Sequence, residues 1–170
     1  MVDLARYLRT IPDFPRQGIN FVDLTPVLAD ADAFSASVES LLPDRFHAAT
    51  VVAGVEARGF WFAPALAQRL GVGFVPLRKP GKLPSATQGV DYALEYGTDR
   101  LEAHTDAFTV DDQVLVVDDV LATGGTLAAA CALVETVGAN VLGAAVLIEI
   151  AMLEGRARLA DVDVHSVMEV

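Results

Sequence analysis

The residues best suited to chemistry in this chain run from Val114 to Thr126, VLVVDDVLATGGT. An apolar run leads into a pair of acids, Asp118 and Asp119, and the small residues from Ala122 to Thr126 then open what reads as a helix. Backbone N–H groups of a loop at a helix N-terminus attract anions, and Thr123 and Thr126 add uncharged hydroxyl donors. Gly124 and Gly125 let a phosphate come close. Two adjacent carboxylates accept hydrogen bonds from a cis-diol such as ribose. An acid pair alone would read as a solvated strand end; the A-T-G-G-T behind it turns the reading toward phosphate plus ribose. The loop lacks both the Gly-Lys-Ser/Thr of a P-loop and the spacing of Gly-x-Gly-x-x-Gly, which leaves a mononucleotide or a sugar phosphate.

Charge points to a second cluster. The 170 residues hold 12 Lys or Arg and 23 Asp or Glu, a formal charge of −11, which argues against a general nucleic-acid binder. Residues 57 to 90, however, contain Arg58, Arg69, Arg78, Lys79 and Lys82 and no acid. That window carries +5 and the rest of the chain −16, which together make −11. A solvated basic face is the ordinary explanation of such a cluster. The glycine and prolines of RKPGKLP instead put Lys79 and Lys82 on a loop, a mobile basic segment suited to a small polyanion. The three histidines, His47, His104 and His165, share no metal-ligand spacing.

The elements that must carry these groups follow from periodicity. Asp3 to Arg9 reads as a short helix, IPDFPRQGINFVDLTP as an ordered arm, and Ala33 to Leu42 as a helix. Strands are expected over Ala48 to Ala53, Val72 to Leu77, Gln113 to Val117 and Asn140 to Ile148, with helices over Arg58 to Leu70 and Thr126 to Val137. Tyr92 to Tyr96 and Arg100 to His104 read as a hairpin about Gly97. Strands alternating with helices imply an α/β fold with a mostly parallel sheet flanked by helices, and ligands at the carboxyl ends of its strands. No repeat or linker divides the chain, so one domain over 1–170 is expected. The single cysteine, Cys131, reads as core filler in a reducing compartment. The first residues, charged and without an apolar core, do not read as a signal peptide, and no run approaches membrane-spanning length. A cytoplasmic protein with no membrane partner is expected.

VLVVDDVLATGGT resembles the phosphoribosyl pyrophosphate motif of the type I phosphoribosyltransferases. GVEARGFWFAPALA, VPLRKPGKLP and YALEYG resemble, in order and spacing, further signatures of the adenine phosphoribosyltransferase family, and DFPRQGINFVDLTPVL resembles its N-terminal base-binding segment. The resemblance covers essentially the whole chain. It implies a type I phosphoribosyltransferase fold with a flexible loop and a small N-terminal base-binding hood. It also implies conversion of adenine and 5-phosphoribosyl 1-pyrophosphate to AMP and pyrophosphate, with Mg2+, by a homodimer.

By position, the resemblance implies a 5-phosphate site at Ala122, Thr123, Gly124, Gly125 and Thr126, and ribose contacts at Asp118 and Asp119. Pyrophosphate would lie near Glu56, Ala57 and Arg58, with Arg78, Lys79 and Lys82 reaching from the loop or its base; in some relatives that loop serves the neighbouring subunit. A non-proline cis peptide is implied between Glu56 and Ala57. Asn20, Phe21 and Leu121 would meet the base, Glu95 would be the acid/base group, and Tyr96 would close the site. Magnesium would be held through substrate and water, with no direct protein ligand. Trp61 and Phe62 read as helix-core residues rather than base stackers. Two positions depart from the family pattern: Val22 and Pro80 stand where basic residues are usual. Val22 motivates an alternative, a phosphoribosyltransferase for a 6-oxopurine. A non-catalytic phosphoribosyl pyrophosphate sensor is the alternative of a different class.

Overall fold

The computed structural model describes residues 2–14, 16–18, 20–94 and 97–170, in two compact units, Met1–Ser40 and Leu41–Val170. In the first, a 3-10 turn over Leu4–Tyr7 precedes β1 (Arg9–Ile11), which pairs antiparallel with β2 (Phe21–Asp23). The expected helix over Asp3 to Arg9 is thus cut short. Arg9 belongs to the ladder instead, opposite Asp23, and its guanidinium meets the Asp23 carboxylate at 2.7 Å. The arm likewise contains strand. Two helices follow, α1 (Thr25–Ala29) and α2 (Ala31–Ser40). The second starts earlier than expected because Asp30 caps it, its carboxylate accepting from the Ala33 amide at 2.9 Å.

The second unit is built on a five-stranded parallel sheet in the order β4-β3-β7-β8-β9. Its first strand, β3 (Val51–Val55), leads to a 3-10 turn over Arg58–Trp61 and then α3 (Ala63–Leu70). The single helix expected from Arg58 to Leu70 is therefore two pieces. Pro64 has no N–H to give to a preceding turn and is tolerated at the start of α3, where the helix begins. β4 (Gly73–Leu77) follows, then an antiparallel hairpin of β5 (Thr87–Leu94) and β6 (Gly97–His104). The hairpin begins five residues before the expected Tyr92.

β7 (Gln113–Leu121), α4 (Gly125–Val137), β8 (Asn140–Glu149) and β9 (Val164–Glu169) complete the unit. The strand expected to stop at Val117 runs four residues further, because β8 continues beside it and pairs Asp118 with Val146 and Leu121 with Glu149. Asp118 and Asp119 therefore lie inside a strand. At the other end of the same pair, Val114 faces Val141 but Leu115 faces Gly143, so Leu142 is an extra residue in the ladder.

Alternation explains the core. Ala53, Val55, Val114, Val116, Ala144 and Val146 share a cluster with Leu127, Leu133 and Val134 of α4 and Leu101 of the hairpin. Residues of opposite parity, Val52, Leu115, Val117, Ala145 and Leu147, are equally buried. Strands apolar on both sides are what a covered parallel sheet requires, each large side chain contributing about 1.5–3 kcal/mol. α4 ends at Gly138 (φ +114), where the Gly138 and Ala139 amides both reach the Val134 carbonyl. Among the described residues no helix is long and apolar enough to cross a membrane.

Cys131 lies in this core, on α4, where burial and then Glu135 push its thiol up to about 12. The folded protein is expected not to react with a disulfide thiol reagent at neutral pH and to react fully in denaturant. Rapid stoichiometric labelling of the folded chain would contradict this burial.

Candidate active site

A cavity of about 260 Å³ opens at the carboxyl ends of β3 and β7. Glu56, Ala57 and Arg58 form one wall, Lys79 another, and the continuous segment from Asp118 to Leu127 the rest. Parallel strands end here and their following loops turn outward, which is where this class of sheet binds ligands. The peptide between Glu56 and Ala57 is cis, at the position the motif implied. Gly124, with φ +81, turns the chain from β7 into the N-terminus of α4, so the first turn of that helix lines the cavity, and helix starts carry unpaired amides that suit an anion.

The two acids are buried, Asp118 at 9% and Asp119 at 2% exposure. The Asp119 amide donates to Asp118 Oδ1 at 2.9 Å. Burial, and then the charge of Asp119, pushes the Asp118 carboxyl well above its ordinary value. Burial raises Asp119 as well, while Arg58 opposes the rise. Arg58 Nε stands 2.9 Å from Asp119 Oδ2. That contact is an ion pair without the direction of a hydrogen bond, and Asp119 Oδ2 accepts none among the described residues. A buried carboxylate oxygen with unused capacity suits a hydroxyl donor.

The basic segment is tied down rather than free. Arg78 pairs with Glu102 of β6 through both backbone bonds, 2.8 and 2.7 Å, and its guanidinium grips Glu56 through Nε at 3.2 Å and Nη2 at 3.0 Å. Glu56 also accepts from the Lys79 amide at 2.8 Å. Arg78 above all, helped by that amide, holds the Glu56 carboxyl below its usual range. Lys79 Nζ donates to Tyr92 Oη at 2.8 Å and pairs with Asp99. Pro80 precedes Gly81 (φ +71), and the Lys82 amide returns to the Lys79 carbonyl at 3.3 Å, the pattern of a type II turn. Proline at this position fits the turn, which accounts for the departure from a basic residue.

Residues 28–168 match the phosphoribosyl transferase domain family. The chain is 52% identical over 170 residues to the adenine phosphoribosyltransferase of Symbiobacterium thermophilum, covering 99% of each. This chain belongs to the adenine phosphoribosyltransferase family. Solved adenine phosphoribosyltransferases share its fold. The Rhodothermus marinus structure superposes with a TM-score of 0.93 at 49% identity, covering 98% of this chain and 96% of that one. The Saccharomyces cerevisiae structure, a complex with adenine and an imino-altritol bisphosphate, gives 0.93 at 38% identity, covering 98% and 97%.

Within this adenine phosphoribosyltransferase fold, Glu56, Ala57, Arg58, Lys79, Asp118, Asp119, Leu121 and the loop from Ala122 to Thr126 meet around one cavity. Arg78 and Lys82 are not among its walls; Arg78 lies behind Glu56 and also donates to the Lys82 carbonyl at 3.2 Å. Asn20 and Phe21 stand in the N-terminal unit, where the Phe21 ring meets Phe14 edge-on, centroids 5.1 Å apart. Glu95 and Tyr96 lie outside the described residues. Phe62 is fully buried, as a core residue should be. Val120 and Leu127 also line the cavity, and Tyr92 and Asp99 hold Lys79; Val120 and Tyr92 lie within VLVVDDVLATGGT and YALEYG without a role implied for them, and Leu127 and Asp99 lie outside every motif. Alternation along VLVVDDVL would have marked Val120 as facing the same way as Asp118.

Proposed function

We propose that this enzyme converts adenine and 5-phosphoribosyl 1-pyrophosphate to AMP and pyrophosphate, as a purine-salvage pentosyltransferase. The observation that carries this reading is the single cavity joining a buried acid pair, an anion-binding helix start and a basic wall. Ala122 to Thr126 take the 5-phosphate, Asp118 and Asp119 accept the ribose hydroxyls, and Glu56 to Arg58 with Lys79 receive pyrophosphate. Arg78 and Lys82 act from the turn behind, while Asn20, Phe21 and Leu121 meet the base. We take residues 1–170 as one phosphoribosyltransferase domain, working in the cytoplasm as a homodimer.

An imidazole-ring nitrogen of adenine attacks the anomeric carbon as the bond to pyrophosphate breaks. Positive charge grows on the sugar and negative charge on the leaving group. The protein contributes mainly placement and fixed electrostatics, with Lys79 and Arg58 beside the departing charge. Glu95 manages the proton lost from the ring, and Tyr96 closes the site. The lining includes carboxylate and hydroxyl oxygens, and these suit a hard cation held through substrate oxygens and water near Asp118 and Asp119. Magnesium, when bound, offsets the charge of the pyrophosphate.

Kinship with enzymes named for adenine, one solved with adenine bound, favours adenine over a 6-oxopurine and an enzyme over a sensor. An assay of purified protein against adenine, hypoxanthine, guanine and xanthine tests it. Magnesium-dependent AMP formation is expected, with the 6-oxopurines slower by roughly a thousandfold or more, because their hydrogen-bond polarity is reversed. Faster turnover of hypoxanthine, or no AMP at all, would overturn the assignment.

A further inference from the structure

The loop from Ala122 to Gly125 rests on a segment that no sequence motif marks. A methyl group on Gly124 would strike the carbonyl of Gly155, whose carbon lies 2.9 Å from that position. A methyl on Gly155 would strike the Ala122 carbonyl oxygen and lie 2.8 Å from the Gly124 nitrogen. The obstacles are backbone atoms, which cannot turn aside, so the two glycines meet with room for hydrogen alone. Gly124 is left-handed (φ +81) but Gly155 is not, so Gly155 is demanded by space rather than by torsion. The chain enters this contact through Glu154 at φ +50, a conformation uncommon for a residue with a side chain.

The next residue pins the contact from behind. Arg156 Nε donates to Glu149 Oε1 at 3.0 Å, Nη2 pairs with the other oxygen of that carboxylate, and Nη1 donates to the Val164 carbonyl at 2.9 Å. Nη2 also reaches Ser166 Oγ at 2.9 Å, and that hydroxyl donates to Glu149 Oε2 at 2.7 Å. A forked guanidinium satisfied on several sides has little freedom. Glu149 is 6% exposed and ends β8 opposite Leu121, the residue before the loop; the Ile150 amide donates to the Leu121 carbonyl at 2.9 Å. The clamp thus starts beside the loop and returns to it through Gly155.

We propose that Gly155 and the Arg156–Glu149–Ser166 clamp are positioning elements for the 5-phosphate cradle, holding Ala122 to Gly125 in the shape that receives phosphate. This rests on the reading of that loop as the cradle. Glu149 ends β8, which lies across β7 from β3, the strand that leads into Glu56 to Arg58, so loss of the clamp should affect one end of the substrate only.

The test titrates the purified full-length protein separately with ribose 5-phosphate and with inorganic pyrophosphate by calorimetry. Gly155→Ala is expected to weaken ribose 5-phosphate about tenfold and leave pyrophosphate within twofold. Should that variant fail to fold, Arg156→Gln, which leaves every loop atom in place, is expected to show the same selectivity at about fivefold. Thr123→Ala, a change in the cradle itself, is run beside them. If Thr123→Ala weakens ribose 5-phosphate and the other two do not, the clamp has no positioning role. If none of the three does, the cradle reading fails and the inference with it. Equal losses for both ligands would mean a general structural role and also overturn the proposal.

Discussion

Asp118→Asn is expected to melt about 3 °C higher than the natural protein at neutral pH and to bind 5-phosphoribosyl 1-pyrophosphate roughly thirty-fold more weakly. Stability and affinity move in opposite directions because the same carboxylate serves one and costs the other. Asp118 is buried beside Asp119, and its carboxyl is raised well above 3.8, first by burial and then by that neighbouring charge. Asparagine removes the charge, keeps the shape and can still accept the Asp119 amide at the position of Oδ1. Relief of a buried like-charge contact is worth about 1 kcal/mol here, at about 2–4 °C per kcal/mol for a chain of this size. With the ribose role proposed for Asp118, loss of a charged acceptor for its hydroxyls costs about 2 kcal/mol of binding.

The pH dependence separates this cause from a packing effect. A carboxyl raised on folding gives stability that is complete below its unfolded value, near 3.8, and is lost as pH rises through the folded value. The natural protein and Asp118→Asn should therefore melt together below about pH 4 and diverge toward neutrality. Calorimetric melts at a series of pH values, with ligand titrations at neutral pH, check both halves. Parallel melting curves, or a variant less stable at neutral pH, would mean that the acid pair is not under electrostatic strain.

Gly59→Ala should cost far more stability. Gly59 is buried in the 3-10 turn between Arg58 and Trp61, and a methyl there would strike the Val117 carbonyl and lie 3.2 Å from Asp118 Cα. Both are backbone atoms of the central strand, so the turn itself must retreat. Overpacking against an immovable wall costs about 3 kcal/mol, a fall of about 10 °C in Tm. Arg58, the residue before it, would be drawn off Asp119 at the same time. Gly73→Ala is the control: Gly73 has nothing within 4 Å of the added carbon and no left-handed torsion, and should melt within about 1 °C of the natural protein. Equal melting of the two variants would refute the close approach.

The sheet was legible because buried parallel strands announce themselves as apolar runs. The expected strands Gln113 to Val117 and Asn140 to Ile148 start where β7 and β8 start and end four residues and one residue short of them. Where β7 ends was hidden, since polarity at Asp118 mimics a strand terminus while the ladder depends on a partner some 28 residues away, Val146. Charge was hidden similarly. The window from 57 to 90 holds no acid, yet Glu56, Asp99 and Asp119 reach its cations from outside it, and Arg78 and Lys79 are each engaged by one of them. A linear charge count locates a region; pairing in space decides which cations stay available. Gly155 and Arg156 gave no local signal, because LEGRA has the composition of any polar turn.

The extra residue at Leu142 has a consequence for descent. Side chains alternate along a strand, so one inserted position reverses the facing of everything after it. Glu149 reaches Arg156 and Ser166 from a position whose parity, counted from Val141, is shifted by an irregularity seven residues earlier, at the far end of β8. Point changes among the apolar residues of β8 leave that parity alone, and loss of Leu142 would join the Val114–Val141 pair directly to the Leu115–Gly143 pair with Glu149 still opposite Leu121. The bulge is thus a place where β8 can shorten by one residue without turning its far end, and relatives of this chain that differ in the length of β8 should differ near Leu142.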